Sequence, residues 1–231
     1  MKYENTVGVD LAKNVIYVSV VSSSQNILVS KELTRKKFKE FLAKQKPSLV
    51  AFEACVTAHY CSRLAMSLGH VTKILPALSV APFRQVHKTD KNDALAVAEA
   101  VTRPNIKQAP YKTIDQQAIQ SIQRSREILV GDRTARSNHI RGILLEFGIV
   151  IRQGLSALHQ TVPEILEDGD NELPDSYRPT LNLLYSRLCD LRDDIKLMDN
   201  QITALIKQNP GCIELIKLEG GRSARCFYLP C

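Results

Sequence analysis

Four carboxylates hold positions from which they could act together. Asp10 ends the apolar run Val7-Gly8-Val9-Asp10, and Glu53 ends a second one, Leu49-Val50-Ala51-Phe52-Glu53. A strand through either run would bury its middle and present the acid near the edge of a sheet. Asp90 and Asp93 stand three apart in Lys88-Thr89-Asp90-Lys91-Asn92-Asp93-Ala94, so a helix there places both on one face. Hard divalent cations such as Mg²⁺ take oxygen ligands of this kind. Two such ions about 3.5–4 Å apart stabilise both the attacking and the leaving oxygen of an in-line phosphoryl displacement. Converging without a cation, the four acids would repel one another. Singly, each also suits an ordinary role: Asp10 in a turn, Glu53 as a strand-end charge, Asp90 as a helix cap and Asp93 beside the helix dipole. Two strand-end acids combined with an i,i+3 pair point instead to a metal centre.

The elements that must position these acids alternate between strand and helix. Three β-rich runs, Thr6 to Leu11, Val15 to Val21 and Ile27 to Ser30, are separated by turn residues at Asn14 and Ser22-Ser23-Ser24-Gln25-Asn26. They predict an antiparallel meander. Thr34 caps a helix through about Ala43, with Phe38, Phe41 and Leu42 on one face. A strand from Ser48 to Glu53, a helix over 57–68 closed by Gly69, and a strand from His70 to Leu75 follow. The Ala-rich segment from Asp90 to Val101 is helical. This order predicts an α/β fold, a mixed five-stranded sheet with helices on its faces.

The second half reads as helical. Residues 115–147 form one long helix or two consecutive ones. Pro163, Pro174 and Pro179 flank an acidic run and mark 161–179 as a connector. Beyond it, Leu181, Leu184, Leu188, Leu191, Ile195, Met198, Ile202 and Leu205 alternate steps of three and four, an a/d seam. Such a seam serves either a hairpin partner inside the chain or a second copy, and its narrow width with polar flanks favours the second copy.

Among 231 residues, 31 Lys+Arg outnumber 24 Asp+Glu, for a net charge of +7. The excess lies in residues 1–141, whereas 142–210 are net acidic. A basic body suits a polyanionic partner, because cations gain by displacing counterions from phosphates. The composition excludes disorder and collagen-like structure, and no apolar run reaches the roughly 18 residues of a membrane span. The six cysteines show no CxxC pairing, which suits reduced thiols in a cytoplasm rather than zinc or disulfides.

The blocks Val7 to Asn14, Phe52-Glu53-Ala54-Cys55 and Lys88 to Ala94 resemble signature blocks of the DEDD transposases of bacterial insertion sequences. So do Ala98 to Asn105, Gln116-Gln117-Ala118 and Arg141 to Ile149. The resemblance implies a RuvC-like, ribonuclease-H-type domain over 1–112 with Asp10, Glu53, Asp90 and Asp93 as catalytic ligands of Mg²⁺. It implies a coiled-coil helix over 180–209 for homodimer or higher-oligomer contacts and a bacterial cytoplasmic location; the residues between the domain and that helix read as a basic helical extension over 113–160 and the acidic connector over 161–179. Members are similar to recombinases that use a bridge RNA to pair donor and target DNA, so DNA and a guiding RNA are the expected partners. Phosphate contacts are expected at Lys88, Lys91, Arg124, Arg126, Arg133, Arg136 and Arg141.

The family pattern continues into a domain with a nucleophilic serine, whereas residues 210–231 depart from it. The expectation is a truncated copy that binds metal and nucleic acid without recombining DNA alone. Two other readings share these residues: a RuvC-like junction nuclease, and a dimeric nucleic-acid-binding regulator without catalysis. A sugar-kinase or actin-like ATPase shares the opening element order but needs glycine-rich phosphate turns. The residues after Asp10 and Glu53, Leu11-Ala12-Lys13-Asn14 and Ala54-Cys55-Val56-Thr57, contain no glycine.

Overall fold

The computed structural model describes residues 3–84 and 89–208. The chain divides into two units, one ending at Ile114 and one beginning at Asp115.

In the first unit, β1 (Asn5–Leu11), β2 (Val15–Ser22) and β3 (Ile27–Thr34) form the expected antiparallel meander. β4 (Leu49–Glu53) and β5 (Val71–Leu75) add to it in parallel, giving the order β3-β2-β1-β4-β5. Parallel pairing needs a crossover. α1 (Arg35–Lys44) supplies the first and α2 (Ala58–Ser67) the second. Thr34 caps α1 as expected, accepting from the Lys37 N–H at 3.4 Å. β3 runs four residues beyond Ser30, because Leu33 pairs with Ile16 and is buried beside it.

Alternation along the strands sorts the two faces. Val7, Val9, Val50, Phe52 and Ile74 face α1 and α2, where Phe38 and Leu42 complete a closed core. On the other face Ala51 and Leu75 meet Val80, Ala96, Val97 and Ala100. These last residues come from α3 (Ala77–Val80), a single turn not anticipated from the sequence, and from α4 (Asp90–Ala100). Gly8 lies on this second face under α4. A Cβ there would stand 2.1 Å from the Ala94 carbonyl oxygen and 2.5 Å from the Ala98 nitrogen. Only glycine lets the helix lie this close to β1.

The second unit is helical. α5 (Ile114–Glu146) is one continuous helix of 33 residues. α6 (Leu155–Glu167) corrects the expected connector: residues 161–167 are helical and Pro163 sits inside the helix. Proline removes the N–H that would bond the carbonyl four residues back, that of His159. The Tyr185 hydroxyl donates to that oxygen instead, at 3.1 Å. The true link is the short acidic turn after α6. Asn171 donates to the Ile165 and Asp168 carbonyls, and Arg178 donates to the Ile165 and Leu166 carbonyls, so the last turn of α6 is capped by side chains.

α7 (Arg178–Gln208) carries the seam. Leu181 and Leu188 are fully buried with Ile140 and Leu144 of α5 and Leu158 and Val162 of α6. Ile195 and Ile202 are buried as well, whereas Leu184, Leu191, Met198 and Leu205 are half-buried. The first half of the seam therefore serves the chain's own helices.

Among the described residues no helix is long and apolar enough to cross a membrane. Cys55, Cys61 and Cys189 are free thiols, and burial pushes Cys61 up to about 11, which keeps it protonated and unreactive.

Candidate metal centre

The register of β1 against β4 brings two of the four acids together. Gly8 pairs with Ala51 and Val9 with Phe52. Asp10 and Glu53 each lie two residues past the Gly8–Ala51 pair, so both point to the α4 face at the same ends of adjacent parallel strands. α4 supplies the other two. The Thr89 side chain accepts from the Asn92 N–H at 3.2 Å and fixes where the helix begins. Asp90 and Asp93 then fall in its first turn, with Asp93 buried and Asp90 exposed. Because Gly8 admits α4 against β1, Asp93 reaches the side of the sheet that Asp10 occupies.

The electrostatics record this convergence. Burial raises the Asp10 carboxyl above its ordinary value, and the charges of Asp90, Asp93 and Glu53 raise it further. A positive charge from outside the expected set lies among them. The Arg84 Nη2 donates to both Glu53 oxygens, at 2.9 and 2.7 Å, and its Nε lies 3.4 Å from an Asp93 oxygen. These partners raise the guanidinium's own pKa, the Glu53 hydrogen bond most.

The donor chemistry, carboxylate oxygen throughout, fits a hard divalent cation. The crowding of like charge around Asp10 is what such a cation relieves. Among the described residues no three acids, histidines or cysteines are yet drawn close enough to hold an ion. The arrangement is thus a cluster of acids bridged by an arginine. Arg84 gave no signal in the sequence, where it follows Pro82-Phe83 without a recognisable motif.

The expected phosphate contacts divide. Lys91, Arg124 and Arg136 are exposed. Arg126 donates to Asp199 through two of its nitrogens. Arg141 donates to the Gly154 carbonyl. Arg133 is half-buried, its Nε without a hydrogen-bond partner. Lys88 and residues 210–231 lie outside the described residues.

Residues 7–149, which contain all four acids, match the family DEDD_Tnp_IS110, described as transposase. The chain belongs to the DEDD transposase family. It is 34% identical over 93% of its length to a probable family 20 transposase of Pseudomonas aeruginosa, of which it covers 64%. It is 30% identical over 95% of its length to the transposase for insertion sequence element IS1111A of Coxiella burnetii, covering 60% of it. A third relative, the transposase for IS1328 of Yersinia enterocolitica, is 34% identical over 82% of the chain and is covered over 57%. This DEDD transposase chain thus spans about three-fifths of the length of these curated relatives. Among solved structures it is similar to Thermus thermophilus RuvC in complex with Holliday junction substrate, at 12% identity and a TM-score of 0.35, over 46% of this chain and all of that one.

Proposed function

We propose that this chain carries the metal-dependent strand-cutting centre of an insertion-sequence transposase, acting on DNA phosphodiesters. The observation that supports this most is the register of β1 against β4, which sets Asp10 and Glu53 on the face that α4 covers, with Asp90 and Asp93 in the first turn of that helix. Those four residues would hold the metal, Mg²⁺ by preference, whose charge stabilises the oxygens of a phosphoryl displacement. The strand ends fix the directions of Asp10 and Glu53, and burial fixes Asp93. Of the expected contacts, Lys91, Arg124 and Arg136 are exposed cations available to DNA phosphates, and the same charge would accept a guiding RNA. The half-buried seam residues Leu191, Met198 and Leu205 are where a second copy would add contacts to form a homodimer. A bacterial cytoplasm provides both DNA and Mg²⁺.

Calorimetric titration with Mg²⁺ tests the ligand assignment. The full chain should bind the ion, and Asp10→Ala and Asp93→Ala should each abolish the signal while keeping the wild-type circular dichroism spectrum. Unchanged binding in both variants rejects the assignment.

A further inference from the structure

Arg84 is the cation that the acidic cluster holds from within the chain. Its guanidinium spans Glu53 and Asp93, at 2.7 to 3.4 Å, and so joins the end of β4 to the first turn of α4. It comes from the segment just after the 3₁₀ turn Ala81–Phe83, not from the sheet or from α4. It is one-third exposed, whereas the two carboxylates are largely covered, at 19% and 11%. The side chain therefore has solvent to swing into, while its partners do not. Hydrogen bonds between a guanidinium and a carboxylate occupy the lone pairs that a metal ion would take. Both Glu53 oxygens are already accepting, and one oxygen of Asp93 lies against the same charge.

We propose that Arg84 competes with the divalent cation for Glu53 and Asp93, so that metal binding requires the guanidinium to release them. The inference rests on the metal reading above. Its consequence is an affinity for Mg²⁺ set partly by the strength of the arginine's grip. A guanidinium that reaches Glu53 through Nη2 and Asp93 through Nε holds two acids with two nitrogens, more firmly than a lysine's single ammonium of the same charge.

The test is Mg²⁺ titration of the full chain by calorimetry, without nucleic acid, on wild type, R84A and R84K, with folding checked by circular dichroism. R84A should bind at least about tenfold more tightly, equivalent to about 1.4 kcal/mol. R84K should fall between R84A and wild type, because the charge stays and the fork is lost. Equal affinity in wild type and R84A, or weaker binding in R84A, overturns the competition while leaving the metal site standing. Tighter binding in R84A with R84K equal to wild type also overturns it, since charge repulsion alone then accounts for the effect. Absence of binding in all three proteins overturns the metal reading, and the competition with it.

Discussion

Gly8→Val should lower the stability of the first unit by about 3 kcal/mol or more, the upper range for overpacking a closed core. The two nearest atoms to the added carbon, Ala94 O and Ala98 N, belong to the backbone of α4, and the Ala98 Cβ follows at 2.7 Å. No rotamer change relieves such a contact, so the helix itself has to retreat from β1. That retreat carries Asp93 away from Asp10, and Mg²⁺ affinity should fall together with stability. Urea unfolding followed by circular dichroism measures the first effect. Gly131→Ala on α5 is the control, because nothing lies within 4 Å of a Cβ there. A helical glycine replaced by alanine should gain up to about 1 kcal/mol. Equal unfolding midpoints for wild type and Gly8→Val would show that α4 does not rest on β1.

Asp10→Asn should raise the melting temperature of the metal-free protein at neutral pH while removing its response to Mg²⁺. The Asp10 carboxyl is raised by burial and then by Asp90, Asp93 and Glu53. The folded state therefore holds this proton more tightly than the unfolded chain does. Stability is lost as pH rises from the unfolded carboxylate value through the raised folded one. Below that window the protonated acid and the amide cost alike; above it only the acid carries a buried, repelled charge. In EDTA, the melting-temperature difference between Asp10→Asn and wild type should therefore grow with pH across the window and then level off. Added Mg²⁺ should stabilise wild type and leave the variant unchanged. A difference that is flat with pH, or a variant still stabilised by Mg²⁺, contradicts the placement of Asp10.

Much of the first unit was legible because its signals are local. Period-two runs with turn residues between them mark the meander, and Thr34 stands at a helix start where a side-chain acceptor is needed; at α4 the cap is Thr89 and not Asp90, which the sequence offered for that role. The two strand-end acids were visible because each closes an apolar run. What the sequence hid depends on partners far along the chain. Gly8 is one glycine within a strand, and its reason is the Ala94–Ala98 face of a helix some ninety residues away. Arg84 has no periodicity to mark it, and its role exists only once β4 and α4 are in place. Pro163 read as a helix breaker because the Tyr185 hydroxyl that replaces the lost N–H lies on another helix. The seam on α7 announced an apolar partner but not its identity, and Leu181 and Leu188 find theirs within the chain. The ion pair of Arg126 with Asp199 was hidden for the same reason, since the two are distant in sequence.

If Asp10, Glu53, Asp90 and Asp93 form one cation site, crystals of the full chain soaked in Mn²⁺ will reveal it by anomalous scattering. The expected result is a peak at bonding distance from the carboxylate oxygens of Asp10 and of at least two of the other three, with Arg84 moved off Glu53 and Asp93. A peak elsewhere, or no peak at saturating Mn²⁺ with Arg84 still bridging the two acids, would contradict it.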